Sequence, residues 1–202
     1  MRSAQTLRTF YILILTQTFS LIGSRMTGLA IGIKVFNDTE QATPLALTAF
    51  FGAVPSLISA SVAGVLADRW DRRYVMMISD AGQAVGTLLL LASFASGVFE
   101  VWHLYVVSLI QSVFGVFQQP AFEASVTMLV PDEHRDRANA IQQLTGPASG
   151  IIAPIAAGLL FTLVGVVGVM TIDLMTFLAA MVVVFMVRIP RPTQTAEGLA
   201  MA

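Results

Sequence analysis

The stretch Gly64-Val65-Leu66-Ala67-Asp68-Arg69-Trp70-Asp71-Arg72-Arg73 places five charged residues between two long apolar runs. Each flanking run is about 20 residues long, enough to cross a hydrocarbon core of about 30 Å. Two apolar helices that leave a bilayer on the same face need a polar reversal, and basic residues concentrate in short loops on the cytoplasmic side. The stretch is therefore predicted to be a tight cytoplasmic hairpin between two membrane-spanning helices.

The composition also indicates a polytopic membrane protein. Of the 202 residues, 56% are hydrophobic and only 11% are charged, whereas a soluble domain carries about 25% charged residues. The chain has no Cys, which excludes disulfides, thiolate metal sites and cysteine nucleophiles. The first apolar run is too long for the hydrophobic part of a cleavable signal peptide, so none is predicted.

Six membrane-spanning helices are predicted in a bundle that covers residues 1–192, followed by a flexible tail at 193–202. Asp71 is predicted to cap the third helix, because a carboxylate accepts hydrogen bonds from the free amides of a first turn. A turn at Gly165–Gly168 is predicted between the last two helices. The predicted helices are 10–36, 45–67, 74–96, 102–129, 139–164 and 169–187.

The distribution of basic residues predicts the orientation. If the N-terminus is inside the cell, only Lys34 faces outward and Arg25 lies within the membrane. Both termini are therefore predicted to be cytoplasmic in a multi-pass protein of the cell (inner) membrane. The nine basic residues then placed on the cytoplasmic side are Arg2, Arg8, Arg69, Arg72, Arg73, Arg135, Arg137, Arg188 and Arg191.

The pattern Gly-x-Leu-Ala-Asp-Arg-x-x-Arg-Arg within Gly64–Arg73 resembles the cytoplasmic signature between the second and third helices of the major facilitator superfamily. Asp71 stands where that signature usually has Gly, and this variant looks most like the branch of macrolide and siderophore exporters. The resemblance covers essentially the whole chain, but only the N-terminal half of such a transporter. It implies an all-α bundle built as a 3+3 inverted repeat, to which a short similarity between 75–80 and 169–173 adds little.

The resemblance implies a conformational latch formed by Gly64, Asp68, Arg69, Arg72 and Arg73. In the family, the matching Asp contacts a helix of the second domain and holds the outward-open state. Because a helix macrodipole disfavours a negative charge at its C-terminal end, such a partner would suit Asp68. For the arginines, the alternative is plain positive-inside topology.

The family's arginines also join a charge relay with acidic groups at the cytoplasmic ends of neighbouring helices. Glu123 is the candidate partner of Arg72 or Arg73, and Asp80 is assigned to the same network.

Four further residues are assigned to the intramembrane charge or the substrate cavity. Arg25 lies about 15 residues into the first helix, where a charge costs about 2.5–3.5 kcal/mol. A pair with Asp173 of the sixth helix would neutralise both charges; the alternative is a structural role or snorkelling to the outer surface. Gln17 and Gln111 are predicted to line the cavity, since the family's first and fourth helices do so; the alternative is helix–helix hydrogen bonding.

Pro147 and Pro154 are predicted to bend the fifth helix, in a Gly- and Pro-containing stretch similar to an exporter motif; small-residue packing is the alternative. No catalytic constellation is present, since His103 and His134 lie at opposite ends of the fourth helix and no phosphate-binding loop exists. No enzyme activity, cofactor, metal or nucleic-acid partner is predicted.

The predicted function is the N-terminal half of a proton-coupled exporter of a small amphipathic compound, a drug or a siderophore-like molecule. By resemblance it works by alternating access, and it is predicted to be incomplete alone. Its expected partners are the lipid bilayer, the small-molecule substrate and a second six-helix domain or a second copy. A homodimerising half-transporter and a non-transporting membrane fragment or regulatory subunit remain as alternatives.

Overall fold

The computed structural model describes the backbone of residues 2–69 and 71–187, and the side chains of 7–58 and 71–187. Over this part of the chain the fold is all-helical. A single 3₁₀ turn, Asp132–His134, precedes the last helix. The helices are α1 (Arg2–Thr39), α2 (Thr43–Arg69), α3 (Arg72–Ala95), α4 (Val101–Leu129) and α5 (Arg135–Met186).

Within the described residues, four helical segments are long and apolar enough to cross a membrane. They are Leu7–Thr39, Arg72–Ala95, Val101–Leu129 and Asp132–Met186, and Thr43–Ile58 is a shorter apolar helix. Since about 20 apolar residues suffice for one crossing, the chain is a multi-pass membrane protein.

The longest helix, α5, reverses direction within its own length. Its 52 residues would measure about 78 Å if straight, at 1.5 Å per residue. However, Gly165 has φ 67° and ψ −176°, a conformation open to Gly because it has no Cβ. Ala138, near the beginning of α5, and Val184, near its end, pack in the same apolar cluster. The helix therefore has two antiparallel arms, 135–164 and 166–186.

Two apolar clusters lie at opposite ends of the bundle, because they use opposite ends of α1. One joins Met26, Ala30 and Val35 to residues on both arms of α5 beside the break. The other joins Phe10 and Leu13 to the beginning of α3, the end of α4 and the two distant ends of α5. The break at Gly165 thus lies at the same end of the bundle as the connection between α1 and α2.

The helices extend further than the sequence predicts. α1 begins at Arg2, so the basic leader is helical over its described residues. α2 continues to Arg69 and α3 begins at Arg72, so both helices extend into the stretch that is predicted to be a ten-residue hairpin. None of the residues from Gly64 to Arg69 is Pro, so nothing in this stretch forces the helix to end.

The cap predicted for α3 is confirmed, because the Asp71 side chain accepts a hydrogen bond from the Arg73 amide at 3.1 Å. Trp70, residues 188–192 and the predicted tail at 193–202 lie outside the described residues.

Candidate functional site: an amide network and an apolar cavity

A buried network of amide side chains joins α1, α3 and α4 around Asp80. Asp80 is fully buried, and its carboxylate accepts hydrogen bonds from Gln17 at 3.3 Å and from Gln118 at 2.5 Å. Gln118 also donates to the Gln17 side-chain oxygen at 3.0 Å, and Gln83 donates to Gln118. The carboxylate thus has polar partners on two neighbouring helices, as a buried charged group requires.

This arrangement corrects the assignment of Asp80 to an arginine relay. Its described hydrogen bonds are with Gln17 and Gln118, whereas Arg72 and Arg73, in the first turn of α3, bind carbonyls of α4 and α5. Gln83 and Gln118 are absent from the predicted site. The signal for Gln83 was available, because Asp80, Gln83 and Thr87 follow the spacing that places side chains on one helical face.

The predicted partnership of Glu123 with Arg72 or Arg73 is wrong as well. Glu123 is exposed and accepts a hydrogen bond from Gln119, one turn earlier on α4, at 2.7 Å. Arg72 donates to the Ala124 carbonyl at 3.3 Å and contacts the Met128 sulfur. One carbonyl and one thioether sulfur near the end of α4 therefore take the place that the sequence assigns to a carboxylate.

Arg73 binds the C-terminal end of α5. Its guanidinium donates to the Val184 carbonyl at 3.1 Å and to the Phe185 carbonyl, and it lies 5.2 Å from the centroid of the Phe185 ring. The last four carbonyls of a helix have no partner within it, and a cation there also complements the macrodipole. Arg73 therefore fastens the end of α5 to the beginning of α3.

Replacing Arg73 with Met is expected to lower the free energy of unfolding by about 1–3 kcal/mol, because charge-assisted hydrogen bonds to carbonyls are lost. The midpoint of thermal unfolding in detergent measures this. Arg135→Met is the matched control: its ion pair with Asp132 is 2.7 Å long but exposed, and exposed pairs contribute about 0–1 kcal/mol. Equal effects of the two substitutions would contradict the fastening role.

Arg25 does not pair with Asp173, contrary to the prediction. Its guanidinium donates to the Gly146 carbonyl on the first arm of α5 at 2.9 Å. A Cβ built at Gly150 would lie 3.1 Å from the same guanidinium, so the small residue gives Arg25 room to approach. Asp173 instead accepts a hydrogen bond from Ser24 on α1 at 3.3 Å. Adjacent residues of α1 point to different neighbours, which separates the two charges.

A cavity of about 630 Å³ lies between α1, α2, α3, α4 and the second arm of α5. Gln111 and Asp173 both line it, and Gln111 is held by hydrogen bonds to the Gln83 carbonyl at 3.0 Å and to the Thr87 hydroxyl at 3.1 Å. The volume of the cavity falls within the range of about 300–1,000 Å³ that is typical of small-molecule sites. The other polar lining residues are Ser24, Thr27, Asn37, Thr48, Thr87 and Ser108.

Gln17 lines a second and smaller cavity of about 250 Å³, together with Gln83, Gln118 and residues of α5. The structure therefore places Gln17 and Gln111 beside cavities, but in different ones. Both amides also hydrogen bond across helices, as the alternative for them predicts, and a role in binding a substrate stays a prediction.

The remaining assigned residues divide into two groups. Pro147 and Pro154 lie inside α5, and the non-helical residue recorded within that helix is Gly165, so the large change of direction occurs at the glycine. Gly64, Asp68 and Arg69 belong to α2 by their backbone, but their side chains lie outside the described residues, and their latch role stays a prediction.

The several apolar helices, each long enough to cross a bilayer, define the general class: the chain is a polytopic membrane protein. Sequence comparison specifies the family. The profile of the Major Facilitator Superfamily matches residues 13–201, and the chain belongs to this superfamily of membrane transporters.

Several relatives have names that refer to export. Macrolide efflux protein A of Streptococcus pyogenes is 30% identical over 191 residues, which is 94% of this chain and 47% of the relative. The enterobactin exporter EntS of Salmonella choleraesuis is 24% identical over 94% of this chain and 46% of its own length. An uncharacterized transporter of this type from Bacillus subtilis is 28% identical over 86% of this chain and 40% of the relative. The chain thus spans about half the length of the curated relatives it matches.

Proposed function

We propose that this chain is one six-helix half of a proton-coupled exporter of small amphipathic compounds. The observation that carries the proposal is the alignment of 94% of the chain with just under half of macrolide efflux protein A. In the proposal, the two arms of α5 cross the membrane separately, which gives six crossings, a 3+3 inverted repeat and both ends on the cytoplasmic side of the cell membrane.

The exposed apolar surface of the bundle supports the proposal that the bundle has a partner. Large apolar side chains stay uncovered along α2 and along the first arm of α5, including Leu57 at 79% exposure and Leu163 at 77%. Lipid can cover part of this surface, and a second six-helix unit would cover the rest. Alternating access then consists of one bundle rocking against the other around a shared path.

The test is an efflux assay in cells that lack their own exporters, with a fluorescent amphipathic compound as substrate. The chain alone is expected to export nothing, because it supplies one wall of the path. Co-expression with the C-terminal half of macrolide efflux protein A, or fusion to it, is expected to produce export that a protonophore stops. Export by the chain alone would favour a homodimer, and no export from a membrane-inserted pair would contradict the proposal.

The same assay tests the latch. In the assembled transporter, Asp68→Asn is expected to reduce export at least about tenfold, on the scale at which about 1.4 kcal/mol corresponds to a factor of ten. Glu133→Gln is the control, since Glu133 lies in the next connection on the same end of the bundle and is exposed. Unchanged export by an Asp68 variant that inserts normally into the membrane would show that this carboxylate does not stabilise the outward-open state.

A further inference from the structure

Two charged side chains of opposite sign, Arg25 and Glu123, are exposed on membrane-spanning helices. Arg25 of α1 donates to the Gly146 carbonyl through one nitrogen, and its other donors have no hydrogen-bond partner among the described residues. Glu123 of α4 accepts from Gln119 through one side-chain oxygen, and its second oxygen has no partner in the same part of the chain. A charge inside the membrane is costly where it faces lipid, so an oppositely charged partner from outside the bundle would stabilise each of them.

The two charges lie at similar depths in the membrane. Ala138 of α5 and Leu129 of α4 pack in the same apolar cluster and give a common reference level. The Arg25 guanidinium is held at Gly146, which lies about 12 Å from Ala138 along α5 at 1.5 Å per residue. By the same measure, Glu123 lies about 9 Å from Leu129 along α4. A second bundle inserted in the same orientation would therefore bring opposite charges to the same level.

The charges also occupy corresponding places across one face of the bundle. α1 packs mainly against α5, α2 packs mainly against α4, and the 250 Å³ cavity lies between α1 and α4. The order of helices across this face is therefore α5, α1, α4, α2. Arg25 lies on the α5 side of α1, since it binds Gly146. Gln119, the partner of Glu123, lines a groove that α4 shares with α2.

A twofold axis along the membrane normal makes this face complementary to itself. Two copies that insert in the same orientation can be related by such an axis, and every contact then occurs twice. The axis reverses the order of the helices, so that α1 meets α4 of the second copy and α5 meets α2 of the second copy. Arg25 then faces Glu123 of the second copy, and the reverse pair forms at the same time.

The outer helices of the face are complementary in size. Gly150, Pro154 and Gly158 form an exposed stripe of small side chains on the first arm of α5, beside Arg25. Leu57 of α2 presents a large and mostly exposed side chain. Small residues allow membrane helices to approach closely, so α5 of one copy offers room for the large side chains of α2 of the other.

We propose that two copies of this chain associate through this face as a parallel dimer, with reciprocal ion pairs between Arg25 and Glu123. The dimer occupies the face that a different six-helix unit would otherwise cover. Two ion pairs across the face would hold the bundles in one arrangement, so this dimer is expected not to export. The inference goes beyond the proposed function, because association is measured without transport.

The test is the dissociation constant of the dimer, measured by sedimentation equilibrium of the full chain in detergent. Arg25→Glu and Glu123→Arg each place like charges opposite one another. Each is expected to weaken self-association at least about tenfold, on the scale of about 1.4 kcal/mol per factor of ten. Glu133→Arg, which reverses an exposed charge in the connection beyond α4, is the control and is expected to change the constant by less than about twofold. A monomeric unaltered chain, or equal effects of Glu123→Arg and Glu133→Arg, would overturn the proposal.

A mixture of the two variants separates a lost ion pair from a folding defect. When the Arg25→Glu chain meets the Glu123→Arg chain, both contacts again join opposite charges. The two proteins, carrying different affinity tags, are therefore expected to copurify, although each associates weakly with itself. Failure of the mixed pair to form would overturn the proposal, and it would leave the export function untouched because no second unit or substrate takes part.

Discussion

A Gly23→Leu protein is expected not to fold, because α1 and the second arm of α5 touch at this glycine. A Cβ built at Gly23 would lie 2.6 Å from the Thr176 hydroxyl oxygen, 2.8 Å from a carboxylate oxygen of Asp173 and 3.2 Å from the Asp173 Cα. The last of these atoms belongs to the backbone, so it cannot relieve the clash by a change of rotamer. Overpacking by even a few atoms costs about 1–3 kcal/mol, and a leucine adds four carbons.

The graded version of this experiment compares Gly23→Ala with Gly28→Ala on the same helix. A Cβ at Gly28 would meet nothing within 4 Å, so Gly28→Ala is expected to be neutral or to stabilise by up to about 1 kcal/mol through helix propensity. Gly23→Ala gains the same propensity but must push the helices apart, and a loss of about 1–3 kcal/mol is expected. Thermal unfolding of the purified proteins measures both, and a Gly23→Ala protein as stable as the Gly28→Ala protein would contradict the packing.

The helical class, the positions of the long apolar segments and the reversal near Gly165 could be predicted from the sequence. The length and hydrophobicity of a segment and the position of a glycine are local properties, and they can be read directly from the sequence. The cap at Asp71 was predictable for the same reason, since it joins a side chain to an amide two residues away.

The side-chain partners could not be predicted in the same way. Arg25 and Asp173 lie at compatible depths, but their contact depends on how α1 is rotated against two arms of α5. Successive side chains of a helix are rotated by about 100°, which follows from 3.6 residues per turn. Ser24 therefore hydrogen bonds to Asp173, whereas the next residue, Arg25, hydrogen bonds to the Gly146 carbonyl. Depth along the membrane therefore did not determine the partner.

Asp80 illustrates a second limit. Its nearness to a charged connection in sequence favoured an arginine partner, yet its helical face turns it towards Gln17 and Gln118. A period-3.6 reading of α3 from Asp80 through Gln83 to Thr87 predicts the polar face correctly. Which other helices meet that face is a property of the tertiary fold.

In the proposed topology α5 crosses the membrane twice, so that Gly165 lies outside and both ends of α5 lie inside. Cysteine labelling tests it on a clean background, because the chain has no Cys. Val164, which is 49% exposed beside the break, would be replaced by Cys in one protein. Glu40 and Glu133, exposed at opposite ends of the bundle, would be replaced in two others.

The measurement is labelling of spheroplasts with a membrane-impermeant maleimide, before and after permeabilisation. Val164→Cys and Glu40→Cys are expected to react in intact spheroplasts, and Glu133→Cys only after permeabilisation, because positive-inside topology places its connection in the cytoplasm. If Val164→Cys were protected together with Glu133→Cys while Glu40→Cys reacted, α5 would not reach the outer face at Gly165, and the six-crossing account would be contradicted.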